Sequence, residues 1–236
     1  MPCNTRRRAE FDGIRPKTHD SSKIIFQGYG WGARSGLQVI EKVVPLFPLG
    51  TVLFPQGPLP LRVFEPRYLD MISRCLTDES QFGVLLIYDG SEVGSADTYA
   101  VGTKARICDW YQGSDGILGL TVIGTQKFRL VDVKQQSDGL YLGEIDVLDP
   151  EPSIPLPEDY LRMADLLRAI VHDLGRLYQP LEKHFDDSTW VGNRFGEVLP
   201  VPMQYKQHCL EIDHPLERLR FIQPLLRSMR QETLTQ

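Results

Sequence analysis

Apolar positions follow two different rhythms along this chain. Up to about residue 149 they come in short runs of strand character. Val43 to Leu53 is apolar but broken by Pro45, Pro48 and Gly50, which predicts a kinked edge strand, since proline cannot donate to a ladder. Leu59 to Phe64 predicts a second strand. Glu65 to Thr77 then predicts a helix: Pro66 suits a first turn, and Tyr68, Leu69, Ile72 and Leu76 fall on one face. Phe82 to Tyr88 predicts a short buried strand ending at Asp89-Gly90. Four more strands follow over Ala100–Tyr111, Ile117–Ile123, Lys127–Val133 and Leu140–Leu148. They are separated by Gly113 to Gly116, Gly124-Thr125 and Ser137 to Gly139. Short antiparallel strands at this spacing imply a small barrel or bent sheet.

After residue 149 the rhythm changes to that of helices. Pro150, Pro152, Pro155 and Pro157 make residues 150–157 a stiff linker. Tyr160, Met163, Ala164, Leu167, Ile170, Val171, Leu174 and Leu177 form one amphipathic stripe that Pro180 ends. Thr189–Leu199 and Gln204–Ile212 predict two shorter helices. A last one starts near Pro215, with a kink or break expected at Pro224. The domain reading is therefore a flexible extension over 1–36, a β-rich part over 37–149, the linker over 150–157 and a helical bundle over 158–236.

Charge sets the start of the chain apart. The 236 residues carry 26 basic and 31 acidic side chains, yet residues 1–42 hold eight basic and four acidic ones. The acidic body argues against nucleic acid as a partner, because phosphate neutralisation needs clustered Lys and Arg. The longest apolar run, Phe82 to Tyr88, contains Gly83 and falls far short of the roughly 18 residues a membrane helix needs. Four scattered cysteines without a C-x-x-C pair, and Arg6-Arg7-Arg8 with no apolar stretch after it, point to a reducing, cytoplasmic location.

The search for catalytic and cofactor chemistry comes back empty. Gly28 to Ala33 spells G-x-G-x-x-A, but Gly36 follows at once and leaves no room for the helix that would hold a pyrophosphate. There is no G-x-x-x-x-G-K-[ST], no H-E-x-x-H and no G-x-S-x-G. His208 and Cys209 are adjacent, so on a helix they diverge by about 100° and make a poor nucleophile pair. No cofactor, metal or catalytic residue is expected. Phe64-Glu65-Pro66-Arg67-Tyr68 is the most individual phrase. Glu65 and Arg67 either fix a strand-to-helix junction between themselves, or Arg62, Arg67 and Tyr68 form a binding rim.

Taken in order, several phrases resemble the Lon protease N-terminal domain. These are Pro45 to Gly50 with Val52 to Pro55 and Leu59-Pro60-Leu61, then Phe64 to Tyr68, Val101 to Ile107, Gly124 to Leu130, and Leu199-Pro200 with Lys206-Gln207, Leu210-Glu211 and the run Asp213 to Leu219. The resemblance covers roughly residues 43–230. It implies an α+β fold: a PUA-like β pseudo-barrel followed by a C-terminal α-helical bundle. It implies a substrate-holding role without the ATPase and peptidase modules, and matches no catalytic residue of the family. The expected function is a non-enzymatic protein that binds unfolded or extended polypeptide, or a partner protein, linked to quality control or regulated proteolysis. Candidate contacts are Phe47, Phe54, Arg62, Phe64, Arg67 and Tyr68. The alternative is a small-molecule or RNA-binding regulatory module on the same barrel, with the Arg-rich first residues supplying the charge. A hydrolase centred on Cys209 or His208 is a third class, expected to show no activity. Oligomeric state is left open by the sequence.

Overall fold

Seven strands and five α-helices make up a computed structural model that describes residues 42–92, 94, 96–113 and 117–234, with side chains to Met229. The 1–36 extension and its glycine-rich phrase lie outside the described residues, as does the centre of the turn at 114–116. The strands are β1 (Val43–Leu49), β2 (Pro58–Val63), β3 (Phe82–Gly90), β4 (Ala96–Thr98), β5 (Val101–Gln112), β6 (Leu118–Gln135) and β7 (Tyr141–Val147). They pair in the order β1-β7-β6-β5-β3-β4, with β2 on β6, and β1 also pairs with β3. The sheet thus curls back on itself as a pseudo-barrel. The helices are α1 (Pro66–Asp78), α2 (Leu161–Asp173), α3 (Ser188–Val198), α4 (Met203–Glu211) and α5 (Pro215–Leu234). Apart from α1, the strands come first and the helices after, which gives the α+β class.

β1 is not the expected edge strand. Val43–Leu46 pair antiparallel with β7, and Leu46–Leu49 pair in parallel with β3. The amide of Ile145 donates to the Lys42 carbonyl at 2.8 Å, so by alternation the Pro45 nitrogen points away from β7. Each half of the strand has one neighbour, which is how it accommodates prolines in a two-sided role.

β6 is one strand of 18 residues, where two were expected. Gly124 is no turn: its amide donates to the Gly57 carbonyl at 2.9 Å, and its carbonyl accepts from the Gln56 amide at 2.8 Å. A Cβ there would lie 2.1 Å from the Phe54 oxygen, so only glycine lets the 54–57 loop cross the strand so closely.

α1 buries Tyr68, Met71, Ile72 and Cys75, while Leu69 and Leu76 are only half-buried. The face is rotated from the expected one because the helix packs inside the curl of the sheet, against Phe47, Phe82 and Val122. α2 ends at Asp173, four residues before the expected stripe does, and Gly175 takes φ +53. α5 runs on through Pro224 although that residue has no N–H to continue the ladder.

α3 is the axle of the helical part. Eight of its eleven residues are buried. Gly192 lets the Arg218 aliphatic stem lie alongside, and Gly196 receives the Phe54 ring, 2.7 Å from where a Cβ would stand. Phe54, Val52, Leu86 and Val101 from the sheet side share one apolar core with Leu167, Trp190, Phe195, Leu210 and Ile222 from the helices.

Residues 150–157 do not act as a free spacer. The Leu156 amide donates to the Asp186 carbonyl at 2.7 Å, the Ser188 amide to the Ile154 carbonyl at 2.8 Å, and Thr189 Oγ1 to the Pro152 carbonyl at 2.6 Å. Glu151 goes deepest. Arg218, 0 % exposed, donates to both Glu151 oxygens at 2.6 Å and through Nε to the Cys209 carbonyl at 2.7 Å. Lys127 Nζ stands 2.8 Å from Glu151, 3.2 Å from Asp213 and 3.1 Å from the Leu210 carbonyl.

Breaking a buried, hydrogen-bonded ion group is costly because the remaining charges keep their desolvation penalty. Glu151→Ala is expected to lower the unfolding free energy by about 3–5 kcal/mol, read by urea titration. Burial pushes the Cys209 thiol up to about 11, against the nearby cations Arg218 and Lys206. A thiol that ionises more readily when unfolded contributes stability that is intact below about pH 9 and lost as pH rises through about 11. Cys209→Ala is expected to flatten the fall in stability between those two values, checked by urea midpoints across that range.

Candidate functional site

The six residues singled out in the sequence separate into interior and surface. Phe47 and Tyr68 stack inside the pseudo-barrel, ring centroids 4.0 Å apart, and are 5 % and 2 % exposed. Burial, with the Arg67 charge opposing it, pushes the Tyr68 phenol up to about 12. Phe54 is 0 % exposed, seated on Gly196. These three are core, out of reach of a polypeptide at the surface. Arg67 is committed to the fold: it pairs with Glu65 at 2.9 Å, donates to the Gly139 carbonyl at 2.9 Å and to the Glu92 carbonyl at 3.2 Å, and lies over the Tyr68 ring. The internal reading of the Glu65-Pro66-Arg67 junction therefore describes what those two charges do.

Arg62 and Phe64 remain at the surface. Pro60, Arg62 and Phe64 are all exposed and in phase, as a period of two requires. Arg62 faces Gly119 on β6, and Gly119 faces Tyr111 on β5. The Tyr111 ring lies across Gly119, 2.3 Å from where a Cβ would stand. Both Phe64 and Tyr111 are 62 % exposed, a high fraction for large aromatic rings. Tyr111 was missed in the sequence, where it was only the end of a strand; its signal was a glycine opposite it in the middle of a β-run.

The free edge of β2 is a poor template for another strand. The Gly124 amide donates to the Gly57 carbonyl, so residues 59, 61 and 63 bond to β6 and residues 58, 60 and 62 face outward. Two of those three are prolines, which blunt the edge. Recognition here falls to side chains, not to backbone pairing.

A concave region lies where the middle of β6, the 148–156 loop and the start of α3 meet. It is a cleft of about 610 Å³. Trp190, Asn193 and Lys127 are its buried lining residues; Gln56, Asp149 and Asp186 are exposed ones. Asp187 caps α3, accepting from the Trp190 amide at 2.7 Å, and accepts from Ser153 Oγ at 2.5 Å. No group of three His, Cys, Asp or Glu side chains able to hold a metal occurs among the described residues.

A third polar cluster is buried behind that cleft. Arg194, 0 % exposed, donates to the Pro55 carbonyl at 2.6 Å and the Gln56 carbonyl at 2.8 Å, and its guanidinium stands 3.0 Å from Glu197. Tyr178 donates its phenol proton to Glu197, and Lys206 Nζ donates to the Glu197 carbonyl at 2.7 Å. Burial raises the Glu197 carboxyl above the usual range, against the pull of Arg194, and lowers the Lys206 ammonium. The group tethers the 55–57 loop to α3 and α4. His208 meets the Phe221 ring edge-on, an aromatic contact between α4 and α5.

Comparison with known proteins agrees with this architecture. Residues 43–228 match the profile of the ATP-dependent protease La (LON) substrate-binding domain. The chain is 26 % identical over 201 residues to Lon protease 2 of Myxococcus xanthus, covering 81 % of this chain and 24 % of that protein. It is 28 % identical over 175 residues to protein cereblon of Gallus gallus, covering 72 % of this chain and 36 % of that one. It thus spans about a quarter to a third of these relatives' length. Among solved structures, a Lon N-terminal domain protein from Xanthomonas campestris matches with TM-score 0.65 and 34 % identity, over 77 % of this chain and 97 % of that one. The N-terminal domain of a Mycobacterium avium complex Lon protease shares the fold, with TM-score 0.55 and 16 % identity over 76 % of this chain and 95 % of that one. With most of its length matched in sequence and in fold, the chain belongs to the family of Lon substrate-binding domains.

Proposed function

We propose that this chain is a non-catalytic binding protein that takes up polypeptide segments through the surface carrying Phe64, Arg62 and Tyr111. The observation that carries the reading is the pair of large aromatic rings, each 62 % exposed, Tyr111 on β5 and Phe64 directly after β2, where neither serves the core. Rings held by a sheet lose little entropy on binding and bury much apolar area, which is why aromatics and arginine recur as interface anchors. Membership of a substrate-binding family supports polypeptide as the partner. Relatives named Lon protease support a link to regulated proteolysis; protein quality control, a cytoplasmic location and a PUA-like barrel belong to the same proposal.

The test is fluorescence anisotropy of the full chain with a labelled, permanently unfolded polypeptide and a folded version as control. Saturable micromolar binding of the unfolded form is expected. Phe64→Ala and Tyr111→Ala should each weaken it by about tenfold, roughly 1.4 kcal/mol, with the urea midpoint unchanged. Phe47→Ala should do the reverse: a loss of about 3–5 kcal/mol of stability, with affinity per folded molecule retained. No saturation at about 100 μM, or equal affinity in the Phe64 and Tyr111 variants, would sink the proposal.

A further inference from the structure

The sheet face beside Phe64 and Tyr111 is rich in hydrogen-bond donors and poor in acceptors. Leu118, Leu120 and Val122 of β6 turn toward α1 and share a core with Tyr68 and Met71. Alternation therefore turns Gly119, Thr121 and Ile123 the other way. Residues directly opposite one another share a face. Arg62 and Tyr111 thus stand beside Gly119, while Asp109 stands beside Thr121 and Arg106 beside Ile123. The register slips by one residue between Ile107 and Asp109, which keeps Arg106, Asp109 and Tyr111 on one face despite their uneven spacing. Arg62, Arg106, Asp109 and Tyr111 are all exposed.

Of the three charged side chains that the register puts on this face, two are arginines. The third is turned away from a ligand: Asp109 Oδ1 accepts from the Trp110 amide of its own strand at 3.0 Å. Arg106 makes no ion pair among the described residues, and neither the Thr121 nor the Tyr111 hydroxyl has a hydrogen-bond partner among them. The chain as a whole is acidic, with 31 acidic against 26 basic side chains, so the charge of this face is reversed from its background. The face therefore offers guanidiniums and hydroxyls to an acceptor, next to two exposed rings.

We infer that this face selects acidic stretches of polypeptide, in which Asp or Glu stands among apolar residues. The inference rests on the reading of this surface as a polypeptide-binding one and names the class of segment it takes. Carboxylates meet the arginines and hydroxyls, and their apolar neighbours lie against Phe64 and Tyr111. Two strand spacings and four residues separate Arg62 from Arg106 along the register, about 17 Å between Cα atoms. An extended segment covers that in about five residues, so two carboxylates about five apart meet both arginines. Phosphate is an acceptor as well, but tracking a nucleic-acid backbone needs clustered cations, and this face has two.

Fluorescence anisotropy of the full chain would compare three capped, unstructured peptides with the same apolar residues, carrying Glu, Gln or Lys at the same two positions five apart. The Glu peptide is expected to bind tightest and the Gln peptide about fivefold weaker, with Lys weaker still. The Glu advantage should shrink between about 50 mM and about 200 mM salt, because exposed charges are screened. Arg106→Gln and Arg62→Gln, both at exposed positions, should each reduce the Glu-over-Gln ratio about twofold or more with the melting temperature in place. Phe64→Ala should weaken all three peptides alike. Equal affinity for Glu and Gln peptides would overturn the inference, as would a ratio unchanged in both arginine variants, or a single-stranded oligonucleotide that binds more tightly than the Glu peptide. Saturable binding that ignores charge removes this inference and leaves the aromatic surface standing; no binding of any peptide removes both.

Discussion

Glu151 is the residue on which the arrangement of the two halves depends. Its carboxylate is 7 % exposed and is shared between Lys127 of β6 and Arg218 of α5. Arg218 in turn donates to the carbonyls of Cys209 and Ile212 where α4 ends. One carboxylate from the proline-rich loop thus fixes sheet, loop and both last helices in one register. Buried ion groups of this kind often contribute little net stability over an apolar equivalent. Their directional bonds select one docking geometry among several that an apolar interface would tolerate. Phe54 then fills the joint on Gly196, and Arg194 holds the loop that carries it.

The consequences run outward from that joint. α3 is held so that Trp190 and Asn193 face the cleft, and β6 is held so that Gly119 presents Tyr111 to solvent. Arg62 and Tyr111 sit on strands whose backbones are already bonded. A surface prepared in this way loses little entropy when it binds. The blunted β2 edge fits the same picture, because prolines at 58 and 60 keep a neighbouring chain from extending the sheet while leaving side chains available.

Much of the fold was legible in the sequence because it rests on periodicity and on proline and glycine. The strand-then-helix order, the start of α1 at Pro66 and the general helix positions follow from those signals. What was not legible depends on partners distant in the chain. Gly124 looks like a turn until the 54–57 loop is seen crossing it. Phe64 and Tyr68 are four residues apart in one motif, yet one faces water and the other the core, because a strand ends and a helix begins between them. The phase of Pro60 and Arg62 carried that information for Phe64; for Tyr68 the helical face pointed inward. Nothing in the sequence sets Arg194 and Arg218 apart from other arginines, and only the carbonyls and carboxylates gathered round them explain why they are 0 % exposed. The cleft was invisible because its lining comes from four separate stretches of chain.

The double pairing of β1 also bears on how the chain is made. Val43 is matched to Glu144, roughly a hundred residues later, so the curl of the sheet cannot close until β7 has left the ribosome. Such non-local pairing slows folding, because the entropy of closing the loop is lost before the contacts form. Through that interval β1 has only β3 beside it, in parallel, and its first half has no neighbour. Pro45 and Pro48 lie in that waiting strand. They interrupt its row of amide donors while it is bare, and so guard the nascent chain against pairing with its own copies on the same message.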